Sequence, residues 1–109
     1  MNTPVNFKLA KLLKEKGFDE VCQKWYSVEG GLYYQDEFDN NRGFIPVCEC
    51  EAPTIAEVVM WLYEKHGIWI SVYRVDDSTI FRHCFSNVDF NTPTEAYEAA
   101  IEYTLNNLI

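Results

Sequence analysis

Apolar residues recur at helical spacing in three stretches of the chain, which predicts three helices. The stretches cover residues 5–16, 54–67 and 92–107. Each has one apolar stripe on an otherwise polar surface, as in helices that pack one face on a core. The residues expected to be buried are Val5, Leu9, Leu12 and Leu13 in the first helix, Ile55, Val58, Val59 and Leu62 in the second, and Tyr97, Ala100, Ile101, Thr104, Leu105 and Leu108 in the third.

Capping residues mark the expected ends of these helices. The segments 54–57 (Thr-Ile-Ala-Glu) and 92–95 (Thr-Pro-Thr-Glu) have the sequence of a capping box, in which a hydroxyl and a carboxylate each bind a backbone N–H that the helix leaves unpaired. Thr3 is the expected N-cap of the first helix. Gly17 and Gly67 are expected to end the first two helices in the left-handed conformation.

The stretches between the helices are rich in aromatic and β-branched residues and predict strands. The expected strands cover residues 21–28, 32–38, 44–51, 68–75 and 79–85. Their short connections favour antiparallel pairing, with helices on one side of the sheet. The sequence therefore predicts a single α+β domain over residues 1–109, in the order α-β-β-β-α-β-β-α. Its expected architecture is a mostly antiparallel sheet of about five strands with three helices on one face.

Large aromatic side chains are expected on the face of this sheet that the helices leave uncovered. Alternation along residues 68–75 places Trp69 and Tyr73 opposite the aliphatic side chains, and Trp25 and Tyr33 supply equivalent rings in the first hairpin. An exposed aromatic face usually marks an interface, so these four residues are the predicted contact surface. Two alternatives stay open: neighbouring polar side chains and sheet twist cover the rings, or single-stranded nucleic acid stacks on them.

Composition and charge exclude several classes of function. With 48% hydrophobic residues, the chain is too apolar for a disordered protein. Acidic residues outnumber basic ones by 17 to 9, which argues against a nucleic-acid partner because such binding depends on cations that neutralise phosphates. No apolar stretch approaches the ~20 residues of a membrane helix, and residues 1–4 lack the features of a secretory signal. We therefore expect a cytoplasmic protein without membrane association.

Cysteine and histidine are the candidates for catalytic or metal chemistry. Cys48 and Cys50 are two apart on an expected strand, so both thiols could face one metal ion. Cys22, Cys84 or His83 would then have to complete its tetrahedral ligand set. The usual zinc motifs place two residues between paired cysteines, however, and buried cysteines explain the spacing equally well. Adjacent positions on a strand place His83 and Cys84 on opposite faces, which does not suit a nucleophilic pair. We expect no catalytic residue, cofactor or metal ligand.

Several helix ends and core positions resemble those of a group of small phage-borne and mobile-element proteins of gut bacteria. The group carries no established activity, so the resemblance implies a phage or mobile-element setting and transfers no catalytic residue. The residues that carry it are the segment 13–19 (Leu-Lys-Glu-Lys-Gly-Phe-Asp) with Cys22 and Tyr26, the segment 52–54 (Ala-Pro-Thr) with Trp61 and the His-Gly pair at 66–67, and the segment 94–96 (Thr-Glu-Ala).

These observations predict a non-enzymatic protein that acts through protein–protein contact, with a homodimer joined through the aromatic sheet face as the expected form. One alternative is an acidic decoy that inhibits a host nucleic-acid-binding protein. The other is a small enzyme or metal protein that uses cysteine and histidine.

Overall fold

The computed structural model describes residues 3–34 and 47–109. Its elements follow the predicted order, α-β-β-β-α-β-β-α. Residues 35–38 and 44–46 of two predicted strands, and the polar loop between them, lie outside the described residues. In the described ranges, no helix is both long and apolar enough to cross a membrane. The elements are α1 (Phe7–Glu15), β1 (Lys24–Ser27), β2 (Leu32–Tyr34), β3 (Cys48–Glu51), α2 (Ile55–His66), β4 (Val72–Arg74), β5 (Phe81–His83) and α3 (Pro93–Asn107).

The five described strands form two antiparallel sheets, so the prediction of one five-stranded sheet is wrong. One sheet has the order β2-β1-β3 and the other pairs β4 with β5. Alternation along a strand shows which residues share a face but does not identify the pairing partner, which depends on contacts distant in sequence. The chain groups into two compact units, Pro4–Pro53 (the N-terminal unit) and Met1–Thr3 with Thr54–Ile109 (the C-terminal unit).

In the N-terminal unit, α1 begins later than the sequence predicts. Asn6, not Thr3, is the N-cap, and its side-chain Oδ1 accepts the N–H of Leu9 at 2.8 Å. The preceding residue is held outside the helix, because the N–H of Val5 donates to the carbonyl of Pro53 at 2.9 Å. An extended Asn6 is then the first residue whose side chain can reach the free N–H groups of the first turn.

The end of α1 is the one that the sequence predicts. Gly17 has φ +97°, and the N–H of Phe18 donates to the carbonyl of Leu13 at 3.0 Å. This is the hydrogen bond of a Schellman cap, and the Phe18 side chain that follows the glycine is buried. α1 packs against β3. Its buried residues are Leu9, Ala10 and Leu13, whereas Leu12 is half-buried.

In the C-terminal unit, α2 has both predicted caps. The Thr54 hydroxyl accepts the N–H of Glu57 at 3.2 Å and the Glu57 carboxylate accepts the N–H of Thr54 at 3.1 Å, while Gly67 ends the helix at φ +67°. The predicted stripe of α2 is buried, and Trp61 is buried with it.

α3 packs against α2 and against both strands of the β4–β5 hairpin. The Thr92 hydroxyl accepts the N–H of Glu95 at 3.1 Å and begins the helix. Four of the six residues predicted on its buried face are buried: Ala100, Ile101, Thr104 and Leu105. Tyr97 is only half-buried, and Leu108 is 44% exposed because it follows the last helical residue.

Candidate interaction surface

The β4–β5 hairpin has one buried and one exposed face. Ile70 is buried and Val72 half-buried, whereas Trp69 is 57% exposed and Tyr73 47% exposed. This is the alternation that the sequence predicts for these four positions. Because α3 packs on the hairpin and the exposed residues remain accessible, α3 covers the opposite face. We call the exposed side the outer face, and its residues are Trp69, Ser71, Tyr73, Arg82 and Cys84.

A helical tyrosine, which the sequence reasoning missed, extends the outer face. Tyr63 on α2 is 54% exposed, and its ring meets that of Trp69 edge-to-face, with centroids 5.5 Å apart. Edge-to-face contact is a favourable geometry for aromatic pairs, so each ring holds the other in place. The available signal was an aromatic residue outside the apolar stripe of α2. Tyr63, Trp69 and Tyr73 are called the aromatic surface below.

The two arginines of the hairpin have local partners. Arg82 lies directly opposite Tyr73, and its Nε is 2.6 Å from Oδ1 of Asp89. This hydrogen bond raises the pKa of the Arg82 guanidinium. The Nε of Arg74 donates to the carbonyl of Asp76 at 3.3 Å. Cations already engaged in this way are poorly suited to phosphate contacts, which argues further against nucleic-acid stacking on these rings.

The other two residues predicted for the interface lie in a different sheet. Trp25 and Tyr33 are directly opposite each other on β1 and β2, and their rings stack at a centroid distance of 5.0 Å. Trp25 is only 7% exposed and Tyr33 is half-buried. The expectation of one aromatic face shared with Trp69 and Tyr73 is therefore corrected, because the strands that carry these pairs belong to separate sheets.

Cys48 and Cys50 do not share one environment, although they are two apart on β3. Cys50 is buried and Cys48 is exposed. The register with β1 shifts here, since Tyr26 and Ser27 face Cys50 and Cys48 respectively. The extra residue in β3 is a bulge, which breaks the alternation that would place both thiols on one side. Within residues 3–34 and 47–109, no three or more His, Cys, Asp and Glu residues cluster as a metal site would require.

The electrostatics of these thiols disfavour nucleophilic chemistry. Burial, with Glu49 as a lesser cause, raises the pKa of Cys50 to about 11. Burial and the neighbouring Glu51 also raise the pKa of Cys48. A cysteine nucleophile reacts as the thiolate, and reactive cysteines have a lowered pKa. Both thiols therefore stay protonated at neutral pH.

His83 is buried and has a structural role. Its Nδ1 accepts the backbone N–H of Phe85 at 3.1 Å, which identifies Nδ1 as the unprotonated ring nitrogen. The imidazole also lies near the rings of Phe85 and Phe90, with centroids 6.0 and 5.7 Å away. Burial lowers the pKa of His83 from its ordinary value of 6.5. The residue is thus a neutral acceptor that anchors the chain after β5.

We expect the free energy of unfolding to fall as the pH drops below 6.5. Well above that pH His83 is neutral in both states. Below it the unfolded chain binds the proton more readily than the folded protein, so stability is lost as pH falls towards the lowered pKa. Urea unfolding between pH 7.5 and 5.5 measures this. The decline is expected to persist in His66→Gln, where the exposed histidine is removed, and to diminish in His83→Gln. An equal decline in the parent and His83→Gln contradicts the assignment.

Comparisons with protein-family models, curated protein sequences and solved structures find no match to this chain. The resemblance to small phage and mobile-element proteins is not tested by them and stays a prediction.

Proposed function

We propose that this protein acts through protein–protein contact and not through catalysis, and that it forms a homodimer through the aromatic surface. The exposure of Tyr63, Trp69 and Tyr73 carries the proposal, since two of these rings are more than half exposed and the third nearly so. Aromatic residues are enriched at the centre of protein interfaces, where they combine a large apolar area with little conformational freedom. From the resemblance described in the sequence analysis, we further propose that the protein belongs to a phage or mobile element and acts in a bacterial cytoplasm.

The charge distribution favours a second copy as the partner. The chain carries a net charge of −8, so two copies repel each other at most orientations. The outer face is an exception, because none of its five residues is acidic and its one cation, Arg82, is paired with Asp89. Two copies that approach through this face bring no carboxylate cluster against another. The outer face is therefore a side at which self-association meets little charge repulsion.

Light scattering on a sizing column, at several protein concentrations, tests the homodimer. The expected molar mass is near twice 12.7 kDa and falls towards 12.7 kDa on dilution. Trp69→Lys and Tyr73→Lys each place a charge in the proposed contact and are expected to yield folded monomers. Leu108→Lys is the matched control: Leu108 is also an exposed apolar residue, but it follows α3, which covers the inner side of the hairpin. A parent that is monomeric at every concentration would refute the proposal. So would Trp69→Lys and Tyr73→Lys variants that keep the dimer mass.

A further inference from the structure

Among residues 3–34 and 47–109, the β4–β5 hairpin has one edge whose backbone groups have no strand partner. The N–H of Cys84 donates to the carbonyl of Ser71 at 3.0 Å, and the N–H of Val75 donates to that of Ile80 at 2.9 Å. In an antiparallel ladder the backbone groups of successive residues point alternately to the two sides. Residues 71, 73 and 75 therefore direct their N–H and C=O groups towards β5.

By the same alternation, Val72 and Arg74 direct their N–H and C=O groups away from β5. Within the part of the chain that the structure describes, the sheet ends at β4. The far edge of β5 differs, because Phe81 and Phe90 exchange two backbone hydrogen bonds of 2.9 Å there. The open edge of the hairpin is thus on β4, where Val72 is half-buried and Arg74 exposed.

We propose that β4 pairs antiparallel with β4 of a second copy, so that two hairpins form one four-stranded sheet. This inference rests on the proposed homodimer and specifies how its copies meet: the two aromatic surfaces adjoin edge to edge on one side of the new sheet, with Tyr73 at the junction. With the two-fold axis beside Tyr73, Val72 of each copy lies opposite Arg74 of the other. Each of these two pairs is of the hydrogen-bonded type, in which the N–H of each residue donates to the C=O of the other. The two Tyr73 rings then face each other across the junction, on the same side as Trp69.

Charge and symmetry favour antiparallel pairing of two β4 strands over other ways of pairing this edge. Residues 72–74 include no carboxylate, whereas Asp76 and Asp77 occupy the turn that follows. Antiparallel pairing places the two turns at opposite ends of the new sheet, and parallel pairing would bring their aspartates together. Two-fold pairing also uses each open edge once and closes the assembly, which removes the tendency of an unpaired edge to recruit further chains.

The variants Arg74→Pro and Arg74→Ala separate backbone pairing from side-chain contact. Both remove the guanidinium, but only proline removes the N–H that points away from β5, and no hydrogen bond inside the hairpin depends on that N–H. We expect Arg74→Ala to keep the dimer mass in light scattering. Arg74→Pro is expected to have half that mass while keeping the circular dichroism spectrum of the parent. An Arg74→Pro protein that stays dimeric overturns the edge pairing and leaves the aromatic-surface homodimer standing, whereas a monomeric parent overturns both.

Amide hydrogen exchange on the parent protein provides a second test that does not depend on the proline variant folding. The N–H groups of Val72 and Arg74 are expected to exchange more slowly at high protein concentration than at low concentration, because only the dimer pairs them. The N–H of Tyr73 is the internal control, since it faces β5 in monomer and dimer alike. Exchange at Val72 and Arg74 that is unchanged across a concentration range in which the mass doubles contradicts the pairing.

Discussion

Truncation of Leu62 to alanine is expected to lower the free energy of unfolding by about 2–5 kcal/mol, the range for buried leucines. Leu62 is fully buried on α2, which packs against α3. The substitution removes most of an apolar side chain from a core that can close over the cavity only in part. Since the whole stability of such a domain is about 5–15 kcal/mol, the variant is expected to be close to its unfolding threshold.

Urea unfolding of the purified variant measures this loss, with Met60→Ala as the matched control. Met60 is on the same helix but is 45% exposed, so its truncation is expected to change the free energy of unfolding by roughly 0.5 kcal/mol or less. Equal losses in the two variants would mean that α2 does not bury the face described above.

Replacement of Tyr26 by alanine is expected to cost the N-terminal unit about 3–5 kcal/mol, as for other large aromatic truncations. The ring is buried and lies 5.3 Å from that of Phe7, and its hydroxyl donates to the carbonyl of Val5 at 2.6 Å. Tyr26→Phe keeps the ring but leaves that buried carbonyl without this donor, at an expected cost of about 1–3 kcal/mol.

The difference between these variants separates ring packing from the hydrogen bond, and denaturant unfolding measures both. Tyr34→Ala is the control, because that ring is on the neighbouring strand and exposed, with Lys24 Nζ 4.7 Å from its centroid. Its loss is expected to cost about 1 kcal/mol or less, the value of an exposed cation–π contact. If Tyr26→Phe proved as stable as the parent, the hydroxyl would have no net stabilising role.

Local features of the fold could be predicted from the sequence because their causes lie within a few residues. Thr54 and Glu57, whose hydroxyl and carboxylate form the capping box, are three positions apart, so a segment of four residues is enough to recognise it. Gly17 and Gly67 identify helix ends because other residues rarely adopt the positive φ required there. The helix stripes follow equally from spacing.

Strand partnership could not be predicted, because it depends on distant segments. β3 pairs with β1, 20 or more residues earlier, and nothing in the alternation of either strand distinguishes that pairing from one with β4. The bulge opposite Tyr26 and Ser27 could not be predicted from the sequence either. It leaves Cys48 exposed while Cys50 is buried. The start of α1 after its N-cap Asn6 depends on a hydrogen bond from Val5 to Pro53, a residue close to α2 in sequence.

The candidate surface was only partly predictable for the same reason. Trp69 and Tyr73 follow from period-two alternation along one segment, and both are exposed. Tyr63 joins them only because the turn after α2 folds Trp69 back onto the helix, which requires the structure. The open edge of β4 is likewise known only once β5 is identified as its sole partner among the described strands.

The distribution of the four free cysteines makes the native polypeptide suitable for spectroscopic labelling. Cys22 and Cys50 are buried, whereas Cys48 and Cys84 are exposed. Each compact unit thus carries one accessible thiol, Cys48 in the N-terminal unit and Cys84 in the C-terminal unit, and both buried thiols lie in the N-terminal unit. At mildly alkaline pH, a maleimide dye or a nitroxide can be attached at one position in each unit without introducing a new residue. Energy-transfer or electron-spin distance measurements between the two attachment points then report on the arrangement of the units in solution.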